Sequence, residues 1–358
     1  MSNNLLTAAV WTPSGRGAVA TIRVRGDLVR LSEQLAEVFH AASGRALCEV
    51  PIGQIGFGRW GQLTAEDVVV CRTQRDVCEI HCHGGDAAVR RILSDLANFG
   101  CEVVDWRLQL EAELGVWERE HADALSRATT LRAAGWIAAQ AGRIERAVND
   151  LTALINAGQR EEAAARANEI LAWANFGLHL TMPWQVVLAG RPNVGKSSLI
   201  NALVGFERSI VFDQPGTTRD VVTADTVLDG WAIRLSDTAG QRGSADELEA
   251  AGIAKARDAF ASADARLLLI DISEPPHDDD RRLLAEWPDA LIVAHKSDLP
   301  DAWGDSLPTN AIRVSSLART GLKELSSAIV ARIVPMLPGE ETVIPLTDRE
   351  RVELAAFK

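Results

Sequence analysis

The chain has 358 residues, 47% of them apolar, with 37 Lys+Arg against 49 Asp+Glu and a formal net charge of -12. That length points to two or three domains rather than one core, and the acidic balance argues against a protein that coats nucleic acid through a broad basic surface. No window approaches the roughly 18 consecutive apolar residues of a membrane span, and the opening MSNNLLTAAVW lacks the basic segment of a secretory signal, so a cytoplasmic protein with no membrane partner is expected.

Residues 5 to about 105 alternate short β-like runs with turns. LTAAVWT, AVATIRVRG, GQIGFGRWGQL, EDVVVCR and VCEIHCHGG read as strands, and Leu28 to Ala42 and Ala87 to Phe99 as helices, which predicts an α+β domain. Cysteines at 48, 71, 78, 82 and 101 are odd in number and scattered, which suits thiols better than a disulfide framework. The cluster Cys78-Glu79-Ile80-His81-Cys82-His83 contains zinc-ligand residue types. In a strand, however, Cys78, Ile80 and Cys82 take one face and Glu79, His81 and His83 the other, so the ligands diverge.

From about Asp105 to Leu180 the sequence turns rich in alanine, glutamate and arginine, and Ile144, Val148, Leu151 and Ile155 recur on one helix face. From Pro183 onward QVVLAG, WAIRLSD, ARLLLIDIS, LIVAHKSD and AIRVSS alternate with helix-like segments. This pattern predicts βα units on a mostly parallel sheet, with chemistry at the carboxyl ends of its strands.

Gly190-Arg191-Pro192-Asn193-Val194-Gly195-Lys196-Ser197 fits G-x4-G-K-[ST] between the strand QVVLA and the helix SSLINALVG. Glycines let backbone N–H groups turn inward around phosphate oxygens at a helix N-terminus. The candidate cradle is therefore Asn193, Val194, Gly195, Lys196, Ser197 and Ser198. Lys196 is placed to neutralise charge on the β- and γ-phosphates of a nucleoside triphosphate, and Ser197 to ligate Mg²⁺.

Three further pieces follow in the order a GTPase requires. Gly216-Thr217-Thr218-Arg219-Asp220 comes after the first helix, where Thr217 and Thr218 can meet Mg²⁺ and the γ-phosphate from a switch loop. Asp237-Thr238-Ala239-Gly240 ends the second strand, with Asp237 placed to hold the Mg²⁺ shell through water and the Gly240 N–H to reach the γ-phosphate. His295-Lys296-Ser297-Asp298 ends a later strand, where the Asp298 carboxylate can accept the paired N–H donors of guanine, which adenine lacks. Ser315 and Ser316 follow the last strand, where a backbone amide can cap the guanine oxygen.

These residues resemble the MnmE (TrmE) family of tRNA-modification GTPases. AGRPNVGKSSLINAL, PGTTRDV, SDTAG and DELEAAGI carry the likeness over 183–335, and TPSGRGAVATIRVRG, GQIGFGR and CEIHCHGG separate this family from other bacterial GTPases. The resemblance implies a multidomain fold: a folate-binding, dimerising α+β domain over 1–105, a helical domain over 106–182 with a remnant over 336–358, and a Ras-like α/β P-loop G domain over 183–335. It implies a homodimer that hydrolyses GTP with Mg²⁺. With an FAD-dependent partner protein and a tetrahydrofolate as one-carbon donor, such a dimer adds a carboxymethylaminomethyl group at the wobble uridine of tRNA. By position, Arg23 and Glu79 match the folate contacts. The likeness also implies a K⁺ ion in place of an arginine finger, reached by Asn193, by Thr217 and by the loop bearing Phe212 and Gln214. Glu249 matches the residue that orients the attacking water.

Several positions depart from that family. His295 stands where asparagine is usual, and an imidazole can donate one hydrogen bond to the base but cannot reproduce the pair that the amide offers there, which implies a weaker hold on guanine. Leu317 replaces a usual lysine or arginine. Gln241 directly follows DTAG, where Ras-like proteins carry a water-orienting glutamine, so Gln241 and Glu249 are competing catalytic candidates beside Lys196. The loop before VCEIHCHGG is short, the usual lysine-bearing opening of the helical domain is not recognisable between Cys101 and Leu131, and Lys358 follows soon after the G domain. An alternative therefore stands: a GTP-dependent regulatory or assembly switch that has lost the modification chemistry. The intact GKS, GTTRD and DTAG motifs argue against a non-hydrolysing interaction module.

Overall fold

The computed structural model describes residues 5–13, 15, 17–62, 64–206, 223–237 and 260–358. They fall into two compact units, Met1–Arg119 and Glu120–Lys358. Among the described residues no helix is long and apolar enough to cross a membrane.

In the first unit, strands β1 (Thr7–Val10), β2 (Val19–Arg25), β3 (Phe39–Ala41), β4 (Ile55–Trp60), β5 (Glu66–Gln74), β6 (Val77–His83) and β7 (Glu102–Val103) form one sheet in the order β3-β4-β5-β6-β2-β1-β7. Every neighbouring pair is antiparallel except β1 with β7. Helices α1 (Leu28–Leu35) and α2 (Asp86–Asn98) contribute Leu31, Leu35, Ile92 and Leu96 to the core on one sheet face, where Ile22, Val24, Val68 and Val70 meet them. Cys78, Ile80 and Cys82 join that same core, as period-two alternation requires. Burial raises the Cys78 thiol to about 12 and Cys82 and Cys101 to about 11, so these groups stay protonated.

The helix expected from Leu28 to Ala42 stops at Leu35. Asp27 caps it by accepting from the Val29 and Arg30 amides. The following residues turn instead into β3, whose Phe39 lies opposite Trp60 of β4 with ring centroids 6.2 Å apart. Helix-compatible composition loses here to a ladder that buries an aromatic pair. Helix α3 (Trp106–Leu114) closes this unit's described helices, and α4 (Val116–Ser126) enters the second unit at Glu120.

The second unit continues with helices α5 (Leu131–Ala138), α6 (Arg143–Asn156), α7 (Arg160–Leu171) and α8 (Ala174–Leu178), then β8 (Trp184–Ala189) and α9 (Lys196–Val204). Beyond these come β9 (Thr223–Leu228), β10 (Trp231–Asp237), β11 (Ala265–Asp271), α10 (Asp278–Glu286), β12 (Leu291–His295), β13 (Ile312–Val314), α11 (Leu322–Ile333) and α12 (Asp348–Ala355). The sheet order is β13-β12-β11-β8-β10-β9, parallel throughout except for the antiparallel β9–β10 pair. This is the mostly parallel α/β sheet that the alternating apolar runs predict.

The helical stretch and the parallel sheet of the second unit share a core. Ala124, Ala133, Ile137, Phe176 and Leu180 from the helical stretch share one hydrophobic cluster with Val186, Leu188, Leu199 and Leu235. Phe176 packs edge-on against Trp231, with centroids 5.5 Å apart. On α6, Ile144, Val148 and Leu151 of the stripe are buried, and Ile155 at its end is half-buried. Buried Gln140 holds the stretch after α11, accepting from Ile344 N at 3.0 Å and donating to Thr342 O at 3.2 Å.

Helix α12 begins with a reciprocal cap: Thr347 Oγ1 accepts from Glu350 N, and Glu350 Oε2 accepts from the Leu346 and Thr347 amides. The Thr347 hydroxyl also donates to buried Glu120 at 3.1 Å, which receives Arg349 Nε at 2.9 Å. Burial, opposed by the Leu346 amide and reinforced by Glu120, raises Glu350 from 4.5 to about 7. Between those values the folded chain holds a proton that the unfolded chain has lost, so stability falls as pH climbs through the window and is level above it. Glu350→Gln is expected to remove that slope, worth up to about 3 kcal/mol. Urea midpoints of both forms at about pH 5 and about pH 8 check this, and parallel pH dependences in the two forms would refute it.

Candidate nucleotide-binding site

Between β8 and α9 the backbone turns through Gly190 (φ 149°), Asn193 (φ 63°) and Gly195 (φ 101°). A side-chain carbon at Gly190 would stand 2.5 Å from the Leu269 carbonyl oxygen, and one at Gly195 would stand 2.4 Å from the His295 ring. Only glycine satisfies both the dihedral and the space at these two positions. Val194 is the loop's apolar anchor, buried in the main cluster.

Lys196 is 5% exposed, and its Nζ curls back across the loop to donate to the carbonyls of Gly190 at 3.0 Å and Arg191 at 3.1 Å. The same ammonium lies 3.9 Å from Asp237 Oδ1, which is buried at the end of β10. Register brings that carboxylate there, because Asp237 pairs with Leu188 of β8 just before the loop. Ser197 and Ser198 are exposed in the first turn of α9, where N–H groups and the helix dipole favour an anion. The arrangement can receive a polyphosphate, with the Ser197 hydroxyl and the Asp237 carboxylate as oxygen donors suited to a hard divalent cation.

At the end of β12, His295 is buried and Lys296 takes a left-handed backbone (φ 61°). His295 Nδ1 lies 2.8 Å from Val194 O, and Nε2 lies 2.7 Å from Ser316 Oγ. Burial pushes this imidazole below its ordinary range, against the opposing hydrogen bond to the Val194 carbonyl. Lys296 forms an ion pair with Asp271, whose carboxyl burial alone would raise but which Lys296 and Ser273 hold low. Asp298 is exposed, and the Ser315 hydroxyl that donates to it keeps its carboxyl below the usual range. Ser315 Oγ accepts in turn from Ala318 N at 2.9 Å.

Phosphate-side and base-side candidates thus converge through β8, β10 and β12: Asn193 to Ser198 and Asp237 on one side, His295, Lys296, Asp298, Ser315 and Ser316 on the other. Phe212, Gln214, Thr217, Thr218, Thr238, Ala239, Gly240, Gln241 and Glu249 lie outside the described residues. Sequence reading missed one anchor of the loop. Arg191 Nε is 3.0 Å from Asp280, a fully buried carboxylate on α10, and Nη2 is 3.4 Å from Glu274. The acidic run DDD at the start of α10 does not mark which of its carboxylates is buried, and the partner of Asp280 lies 89 positions away.

In the first unit, Arg23 and Glu79 are direct cross-strand partners on β2 and β6. Arg23 is held by Glu113 of α3 at 3.0 Å and lies over the Trp11 ring, 4.4 Å from its centroid. Glu79 is half-buried, 3.7 Å from His81 Nε2. Gln109 of α3 ties this face together: it accepts from Trp11 Nε1 at 2.8 Å and donates to Thr7 Oγ1 at 3.1 Å.

A glycine-shaped loop between a parallel strand and a helix, with a buried lysine across it and an aspartate at the neighbouring strand end, defines a P-loop nucleotide-binding domain. Residues 185–296 match the family described as 50S ribosome-binding GTPase, and residues 6–105 match the family described as GTP-binding protein TrmE N-terminus. The chain is 32% identical over 378 residues to the tRNA modification GTPase MnmE of Geobacillus thermodenitrificans, covering 90% of this chain and 80% of that one. The protein of the same description from Parasynechococcus marenigrum is 32% identical over 400 residues, with coverage of 99% and 87%. The chain belongs to the MnmE family and is a P-loop GTP hydrolase. Among solved structures, the G domain of the T. maritima FeoB iron transporter aligns with 42% of this chain and 98% of its own at 28% identity and a TM-score of 0.31, too low to bear on the fold.

Proposed function

We propose that this chain uses GTP hydrolysis in tRNA modification, adding a carboxymethylaminomethyl group at the wobble uridine as a cytoplasmic homodimer with an FAD-dependent partner. The observation that carries the reading is the phosphate loop with Lys196 buried across it, on a chain that resembles MnmE proteins over both its halves.

Lys196 binds the β- and γ-phosphates, and Ser197 and Thr218 would hold Mg²⁺, with Asp237 holding its shell through water; the ion offsets the phosphate charge. Asn193, exposed on its left-handed turn, would hold K⁺ together with Thr217 and the loop of Phe212 and Gln214. Glu249 is the preferred residue to orient water, and Gln241 its competitor. Asp298 reads the guanine edge, its oxygens ionised under the Ser315 hydrogen bond. Because Arg23 is already engaged by Glu113 and Trp11, the half-buried Glu79 is the better-placed acceptor for the donor edge of a tetrahydrofolate. Ile55 and Phe57, 75% and 52% exposed at successive outward positions of β4, give the first unit an apolar strip that a second copy would cover.

Mass spectrometry of wobble nucleosides from cells lacking this protein tests the reading. Loss of the modified uridine is the expected result. Unaltered uridine modification would overturn it in favour of the regulatory or assembly switch.

A further inference from the structure

We propose that His295 is a positioning residue that ties the phosphate loop to the loop after β13 through both ring nitrogens, and that it makes no contact with the guanine base. The inference rests on the guanine reading above and assigns a different task to one of its candidate contacts.

Hydrogen-bond inventory carries it. The Val194 carbonyl can only accept, so the ring nitrogen 2.8 Å away, Nδ1, must carry the proton. In a neutral ring Nε2 is then the acceptor, and the Ser316 hydroxyl 2.7 Å away donates to it. Were the ring charged, Nε2–H would donate to the same hydroxyl instead, so either protonation state spends both nitrogens on the protein. The ring is also 3% exposed, and it packs where a side chain at Gly195 would be, 2.4 Å from the position of that missing carbon. A side chain at Gly195 would collide with this imidazole.

Asparagine differs in one countable respect. Its amide has an acceptor oxygen and two N–H donors, so it can make both protein contacts and keep one donor for the base. Guanine presents N7 as an acceptor on the edge such a donor would reach. The imidazole has no donor left.

Titrations of the full chain with GDP and with 7-deaza-GDP, which lacks the N7 acceptor, separate the two roles. His295→Ala should weaken both ligands by the same factor, about 10- to 100-fold, because the loss falls on the loop that holds the phosphates. His295→Asn should restore 7-deaza-GDP binding to the wild-type value and bind GDP more tightly than wild type does. A loss in His295→Ala confined to GDP, or no loss for either ligand, would overturn the proposal. Should the alanine variant not fold, the long-range ¹H–¹⁵N spectrum of the nucleotide-free wild type decides. A proton on Nδ1 of His295, assigned by its disappearance in His295→Asn, is expected, and a ring protonated on Nε2 alone refutes the tether. Wild type that binds neither nucleotide would count against the guanine reading, while the tautomer remains measurable.

Discussion

Lys196→Ala is expected to lower GTP turnover by about 10²- to 10³-fold, the scale of losing one preorganised charge at a phosphoryl-transfer site. Two carbonyls of its own loop and the Asp237 carboxylate orient this buried ammonium. Alanine removes the charge, yet the glycine dihedrals, the buried Val194 and the Arg191–Asp280 pair still shape the loop. Single-turnover hydrolysis at saturating GTP, with a melting curve to confirm the fold, measures the effect. Undiminished turnover in a folded variant would remove this loop from the chemistry.

Asp298→Asn is expected to weaken GDP binding by about 10²- to 10⁴-fold and to strengthen binding of xanthosine diphosphate. An ionised carboxylate accepts two N–H donors at once, and the Ser315 hydroxyl fixes it in that state and orientation. An amide accepts one and donates one, which suits xanthine, whose carbonyl replaces the guanine amino group. Competition titrations with both diphosphates measure the exchange. An unchanged GDP affinity would sink the guanine assignment and leave only the phosphate half of the site.

Strands from QVVLAG to AIRVSS were legible because apolar runs of that length, bounded by polar clusters, have few other ways to be buried. The Cys78–His83 alternation was legible for a similar reason: neighbouring residues on a strand must point to opposite faces. Leu28 to Ala42 was misread in its second half, since the choice between one more helical turn and β3 depends on Gly58–Trp60, which local composition does not contain. Nor does local composition record that Ala124 and the α5 and α8 side chains bury themselves in the same core as β8 and β10.

By itself the sequence determined where the phosphate loop lies and which class of hydrolase it serves, since strand, loop and helix follow one another within a single short stretch and their chemistry is local. Tertiary structure alone decided what steadies that loop. Val194 meets His295 across 101 positions and Arg191 meets Asp280 across 89. The physical reason is register: hydrogen-bonding between parallel strands places β12 beside β11 and β11 beside β8. Periodicity along one strand carries no record of which neighbour it will take, and so none of which side chains that neighbour delivers to the loop.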